Sequence, residues 1–220
     1  LNDYKLGARD GEVGSFKQFY FDDQSWTVRY LIADTGGWLS GRRVLISPYA
    51  LGPAEEGVKV IPVNLTKAQI EKSPSPATDR PVSRQYERDY YSYCGWPAYW
   101  GGPYAWGLGA YPTHGRVGWS DDPRRTEEED SHLRSTADVT ARSIRAHDGE
   151  IGHVEEFLID DEKRAIRYLI VDTQNWWSGR TVLISTRWIE RISWEESKVF
   201  INLTREAIKQ GPEHTEATPI

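Results

Sequence analysis

Apolar and polar positions alternate along this chain in short runs, and the runs come in a fixed order that occurs twice. "GSFKQFYF" (14–21), "WTVRYLIAD" (26–34) and "RRVLIS" (42–47) have counterparts in "GHVEEFLI" (152–159), "RAIRYLIVD" (164–172) and "RTVLIS" (180–185). Short β-rich runs of this kind, bounded by turn residues, predict strands. The dipeptides Asp10-Gly11 and Asp148-Gly149 mark turns, and "DDQS" (22–25) and "DDEK" (160–163) each separate two runs that pair as an antiparallel hairpin. In "TVRYLIAD", Val28, Tyr30 and Ile32 point to one face while Leu31 and Ala33 put apolar groups on the other, which predicts cover on both sides. A further strand follows the tight Ser-Gly-Arg turn.

Each copy then closes in a short helix. In "LTKAQI" Thr66 is placed as the N-cap, Gln69 as its capping-box partner, and Leu65 as a hydrophobic staple onto Ile70. The second copy keeps the cap and staple in Thr204, Leu203 and Ile208, but Ala207 replaces the glutamine. This reading also accounts for Asn64-Leu65-Thr66 and Asn202-Leu203-Thr204, which otherwise match a glycosylation sequon.

The two copies align without a slip, Asp148 standing 138 residues after Asp10 (148 − 10 = 138). Two units separated by a long segment cannot share a stacked core as a solenoid does, so each is expected to close its own. The expected organisation is a first domain over 1–72, a linker with a Tyr/Trp/Gly/Pro-rich insert over 73–140, a second domain over 141–212 and a tail over 213–220. Several short strands and one helix in so few residues point to a small closed or nearly closed barrel, since closure removes sheet edges.

The order D-G-E-[VI]-G, a run ending Asp-Asp, R-Y-L-I-x-D-T, V-L-I-S and N-L-T, met twice, resembles the PRC-barrel family. That family is named for the cytoplasmic domain of the photosynthetic reaction centre H subunit and includes the C-terminal domain of a ribosome maturation factor. The resemblance covers roughly residues 3–72 and 141–210 and is strongest to free-standing tandem PRC-barrel proteins of bacteria, often termed reaction-centre H-like. It implies a mainly β fold: two small PRC-type β-barrels, each with a short C-terminal helix, joined by a long aromatic-rich insert. It also implies a barrel used for protein association, with no general active site. The H subunit's membrane helix and the ribosome factor's N-terminal domain have no counterpart in the sequence, so no place beside a photosystem is carried over.

Composition narrows the partners. A net charge of −6 without a basic stripe leaves nothing to neutralise a phosphate backbone, so nucleic acid is not expected. Apolar runs such as Tyr30 to Ala33 fall far short of the roughly 20 residues of a membrane helix, and no signal-peptide pattern opens the chain, so a cytoplasmic protein without an integral membrane segment is expected. The single cysteine, Cys94, offers neither an intrachain disulfide nor a metal cluster. Net charge is 0 over residues 1–72 (nine basic, nine acidic), −2 over 73–142 (eight, ten) and −4 over 143–220 (ten, fourteen). The second copy is therefore the acidic one, and its surface is suited to different contacts.

Catalytic chemistry is not expected. Asp22-Asp23 and Asp160-Asp161 are neighbours in turns, whereas paired acid and base carboxylates converge from separate elements. Asp34-Thr35 and Asp172-Thr173 read as strand-end residues that bond the backbone of the following turn. Arg29 and Arg167, beside a tyrosine within a strand, read as paired or snorkelling structural arginines. His147 and His153 fit a metal site poorly, since the first copy has Arg9 and Ser15 in their places. No catalytic, cofactor-binding or metal residues are assigned.

What remains is "YYSYCGWPAYWGGPYAWGLGAYP" (90–112). Disorder is disfavoured, because disordered chains are poor in aromatics. The simplest reading is intramolecular burial, each ring removing about 150–250 Å² from water. The alternative, from another class, is a ligand-binding protein whose rings stack on sugar or peptide. The candidate interaction surface comprises Tyr90, Tyr91, Tyr93, Trp96, Tyr99, Trp100, Tyr104, Trp106 and Tyr111, with Trp38, Trp176 and Trp177 in the shared loops. The expected partner is a protein of unassigned identity, with a homodimer, in which the insert packs across the interface, as a further option.

Overall fold

A computed structural model describes residues 4–53, 57–73, 82–112, 132–173, 177 and 180–210. It is mainly β, with two six-stranded sheets in two compact units. The first unit comprises residues 1–135 with the turn 161–164, and the second comprises 136–160 with 165–220.

In the first unit the strands are β1 (Lys5–Ala8), β2 (Gly11–Asp22), β3 (Val28–Asp34), β4 (Arg43–Ile46) and β5 (Val60–Val63), in the order β4-β3-β2-β1-β5. β1 pairs antiparallel with β2 and parallel with β5. Helix α1 (Lys67–Lys72) follows β5, and α2 (Arg84–Cys94) lies in the middle segment of the chain. Strand β6 (Leu133–Ser135) pairs antiparallel with Tyr20–Asp22 of β2.

The second unit opens with α3 (Thr136–Val139). It continues through β7 (Ser143–Ala146), β8 (Gly149–Asp160), β9 (Ala165–Asp172), β10 (Thr181–Ser185), β11 (Ile189–Ser193) and β12 (Lys198–Ile201), and ends in α4 (Arg205–Lys209). Its order is β10-β9-β8-β7-β12-β11, with β7 and β12 parallel.

The two sheets repeat down to their irregularities. The β2–β3 ladder shifts register between Phe16 and Gln18 and between Tyr20 and Phe21. The β8–β9 ladder shifts at the corresponding pairs, Val154/Glu156 and Leu158/Ile159. Bulges bend a strand and sharpen its twist, so each long strand curls. Among the described residues the pairings nevertheless follow an open path in each sheet rather than a closed ring, in contrast to the expected closure.

The recurring D-G-E-[VI]-G stretch has a mechanical basis. The Asp10 carboxylate accepts from the Lys67 amide at 2.7 Å, and Asp148 accepts from the Arg205 amide at 2.8 Å, so an acid in the first turn of the sheet ties down the start of the closing helix. At Gly14 and Gly152, with φ of 154° and 149°, a Cβ would lie 2.0 Å from the Asp34 oxygen and 1.8 Å from that of Asp172. Only glycine permits so close a strand crossing. The caps also differ as the sequence predicts: Thr66 and Gln69 form a reciprocal box, while Thr204 accepts from the Ala207 amide at 3.2 Å with no reciprocal side-chain bond.

The copies diverge after β4 and β10. "PYALGP" in the first carries Pro48 and Pro53, which lack a ladder donor, and among the described residues it pairs through the Leu51–Val63 bridge, with the Gly52 amide donating to the Pro62 carbonyl at 2.9 Å, where the second forms β11. Each unit has its own apolar core. Leu6, Tyr30, Leu31 and Ala33 have no exposed surface in the first, nor do Ile144, Ile151, Val154 and Leu169 in the second. No described helix is long and apolar enough to cross a membrane.

Candidate interaction site: an aromatic insert on the first unit

Within the middle segment, residues 84–94 form helix α2. "RQYERDYYSYC" holds eleven residues free of Gly and Pro. Ser83 caps its start by accepting from the Tyr86 amide at 3.2 Å, and Gly95, left-handed at φ 70°, ends it. On α2, Tyr86, Glu87, Tyr90, Tyr91 and Cys94 recur at helical spacing, and Glu87, Tyr90 and Tyr91 are fully buried. A 3₁₀ turn at Tyr99–Gly101 follows, and then two tight bridges, Tyr104 to Gly107 and Trp106 to Gly109. At Gly102 a Cβ would fall 2.2 Å from the Gly107 oxygen, so the glycines of this stretch serve a compact loop rather than a flexible one.

This element belongs to the first unit. Tyr90, Tyr91, Trp96, Tyr99 and Trp106 join one core cluster with Leu31, Leu45, Ile46 and Tyr49. The sequence places residues 73–140 between two domains. In the structure α2, its following loop and β6 group with the first unit, where the rings find an apolar sheet face and β6 pairs with the edge of β2 beyond Phe19. The rings meet mostly edge to face, as between Tyr49 and Trp106 at 5.3 Å and between Tyr91 and Trp100 at 5.3 Å. Their polar tips reach partners: the Tyr90 hydroxyl donates to the Leu45 carbonyl at 2.9 Å, and the Tyr91 hydroxyl lies 3.3 Å from Ser47 Oγ.

At the centre is a carboxylate that sequence reading missed. Glu87 Oε1 accepts from the Tyr30 hydroxyl at 2.9 Å and from the Tyr99 hydroxyl at 2.8 Å, and Oε2 accepts from Arg84 at 2.7 Å. Arg84 also donates to the Tyr99 oxygen at 3.0 Å and lies over the Trp100 ring at 4.8 Å. Burial pushes the Glu87 carboxyl above its ordinary value, with Arg84 and the two phenols opposing. Burial, with Glu87 adding to it, also drives the Tyr30 and Tyr99 phenols well upward, so both remain protonated donors. A legible signal existed, namely a Ser and a Gly bracketing a helical stripe with one acid among its tyrosines.

Arg29 completes the contact. It is buried, sits 3.8 Å over the Tyr99 ring and 5.1 Å from that of Trp106, donates to the Ala105 carbonyl and lies 3.6 Å from Asp22. Asp22 also accepts from the Gln24 and Ser25 amides at 3.0 and 2.8 Å, as a turn carboxylate does. Its counterpart Asp160 holds Arg167 at 2.7 Å. Thr35 and Thr173 donate to the Arg42 and Arg180 carbonyls at 2.7 and 2.6 Å, fixing the turns after β3 and β9.

The remaining sequence-selected residues separate by exposure. Tyr93, Tyr104 and Tyr111 are exposed, the second at 60%. Trp100 and Trp38 are half-buried, and Lys67 lies 4.5 Å over the Trp38 ring. Trp177 is half-buried with Arg180 over it at 4.5 Å, and Trp176 lies outside the described residues. His147 lies 2.8 Å from the Asn202 side-chain oxygen, and His153 lies 3.9 Å from Asp172. Among the described residues no group of three or more His, Cys, Asp or Glu side chains is placed to hold a metal.

Each of the two sheets has its own buried core, and the first also buries an aromatic insert. Residues 136–208 match the PRC-barrel domain family, a span that runs from the start of α3 into α4. A comparison of the whole chain with curated proteins finds no match.

Proposed function

We propose that the chain is a non-enzymatic protein-association module built on two PRC-type β-barrels, the first completed by its own aromatic insert, and that it works in the cytoplasm. The match of residues 136–208 to a domain family of assembly modules carries this reading. The first unit is taken as the second barrel because its strand order, parallel β1–β5 pair and paired bulges follow those of the matched unit. A reaction-centre H-like role is the finer form of the proposal, resting on the repeated motifs alone.

The sugar- or peptide-stacking alternative draws support from Tyr104, Leu108 and Tyr111, which stand exposed on the double-bridged loop. It loses support from the burial of Tyr90, Tyr91, Trp96, Tyr99 and Trp106, whose faces are spent on one another. Affinity capture with the full chain in its native cell, read alongside retention on a glycan and peptide array, separates the two. A stoichiometric protein partner supports association, and array retention without one overturns it. Light-scattering mass tests the homodimer, which a monomer at micromolar concentration rejects.

A further inference from the structure

Three residues of the first unit that receive the insert have identical counterparts in the second. Tyr30, Leu45 and Ser47 correspond to Tyr168, Leu183 and Ser185 at the common offset (168 − 30 = 138). In the first unit all three are buried and engaged: Tyr30 donates to Glu87 at 2.9 Å, the Leu45 carbonyl accepts from Tyr90 at 2.9 Å, and Ser47 meets Tyr91 at 3.3 Å. In the second unit all three are only half-buried. The Tyr168 hydroxyl makes no hydrogen bond among the described residues. Ser185 Oγ accepts from the Arg187 amide at 3.4 Å, the same turn contact that Ser47 makes with the Tyr49 amide at 3.4 Å, and its proton has no acceptor among the described residues.

Two neighbouring positions change the chemistry. Tyr49, ringed by Tyr91, Trp96 and Trp106, becomes Arg187, which is exposed and has no ion pair among the described residues. Arg29, roofed by Tyr99 and Trp106, becomes Arg167, whose side chain is 39% exposed beside Asp160. The second sheet thus keeps the hydroxyls and the leucine that hold an aromatic helix and presents the Arg187 guanidinium in place of a ring, beside Arg167, which is paired with Asp160 at 2.7 Å. A face that keeps its contact groups and adds positive charge is complementary to an aromatic helix carrying extra negative charge.

We propose that the Tyr168–Leu183–Ser185 face, flanked by Arg167 and Arg187, is a docking site for an amphipathic helix of a partner protein. That helix carries an acidic residue followed by tyrosines three and four positions on, the spacing of Glu87, Tyr90 and Tyr91 on α2. The carboxylate takes the Tyr168 hydroxyl as Glu87 takes that of Tyr30, and a second acid meets Arg187. This inference rests on the association reading and names the surface and the chemistry of its partner.

The test uses a fluorescein-labelled synthetic peptide of residues 82–112, titrated by anisotropy against the full chain. Saturable binding is expected, weakened at least about tenfold by Arg187→Glu and several-fold by Tyr168→Phe, which removes one hydroxyl and leaves the ring packed. A Glu87→Gln peptide is expected to lose a similar factor against the unsubstituted protein. No binding at millimolar peptide, or binding that both protein variants leave unchanged because the peptide exchanges onto the first unit, overturns the proposal. Native-cell capture distinguishes the two failures: a stoichiometric partner that Arg187→Glu still retains sinks this face and leaves the association function standing.

Discussion

Replacing Glu87 by alanine removes the one carboxylate at the centre of the insert and strands three donors. Arg84, whose side chain is 12% exposed, loses its ion pair at 2.7 Å, and the fully buried Tyr30 hydroxyl loses its acceptor. Tyr99 keeps a bond, since it still accepts from Arg84 at 3.0 Å. Breaking a buried pair from one side costs about 3–5 kcal/mol, much of it from the uncompensated partner, and an orphaned buried hydroxyl adds roughly 1–3 kcal/mol where no water reaches it. Even the lower end of that sum, about 4 kcal/mol, corresponds to roughly 10–15 °C in the melting midpoint of a unit of this size. Trp96 and Trp106 are buried in the first unit, so tryptophan emission and near-ultraviolet circular dichroism follow its transition, with the second unit as internal control. The double variant Arg84→Leu/Glu87→Leu is expected to recover the ion-pair part of the loss, because apolar groups of similar volume replace a buried pair at little cost, while the Tyr30 and Tyr99 hydroxyls still lack Glu87. A shift below about 3 °C for Glu87→Ala, or a double variant no better than the single, refutes the reasoning.

Three further outcomes follow from the same geometry. Because burial raises the Glu87 pKa above its ordinary 4.5, the folded state holds that proton more tightly than the unfolded chain. Its contribution is therefore complete at low pH and is lost as pH rises from about 4.5 through the folded pKa. The melting temperature of the parent protein minus that of Glu87→Gln should fall with rising pH across this window, and a flat or rising difference contradicts it. Gly14→Ala and Gly152→Ala, each driving a Cβ to 2.0 or 1.8 Å from a backbone oxygen, should each destabilise its own unit by about 2 kcal/mol or more in a two-transition melt. An effect under about 0.5 kcal/mol would mean that the strand crossing relaxes freely. Burial pushes the Cys94 thiol up to about 12, so alkylation by iodoacetamide at pH 8 should run at least roughly a hundredfold slower in the native protein than in denaturant, and equal rates would contradict it.

How legible each feature was depended on whether its cause was local. The strands, the β2–β3 hairpin and the Thr66 cap follow from alternation, turn dipeptides and side-chain-to-backbone bonds within a few residues, and the constant offset doubled each observation. The function of Asp10 and Asp148 was not legible, since the helix amides they hold lie 57 residues away. Helix α2 was obscured by the Gly, Pro and tyrosine density around it, although Ser83, Gly95 and the spacing of Glu87, Tyr90 and Tyr91 mark its ends and its face. β6 was hidden in a charged stretch because three residues carry too little pattern to declare a strand, and only the edge of β2 makes them one.

The sequence by itself determined the strand runs, their order and the two capped closing helices, because periodicity and caps are written in neighbouring residues and occur twice. Tertiary structure alone decided which rings of the insert are spent on the first sheet and that Glu87 is sealed among Tyr30, Tyr99 and Arg84. It also decided that the matching hydroxyls of the second sheet stay only half covered. Burial is a property of the surface a side chain meets. Identical residues such as Tyr30 and Tyr168 therefore take different roles once one face is covered by the insert and the other is not.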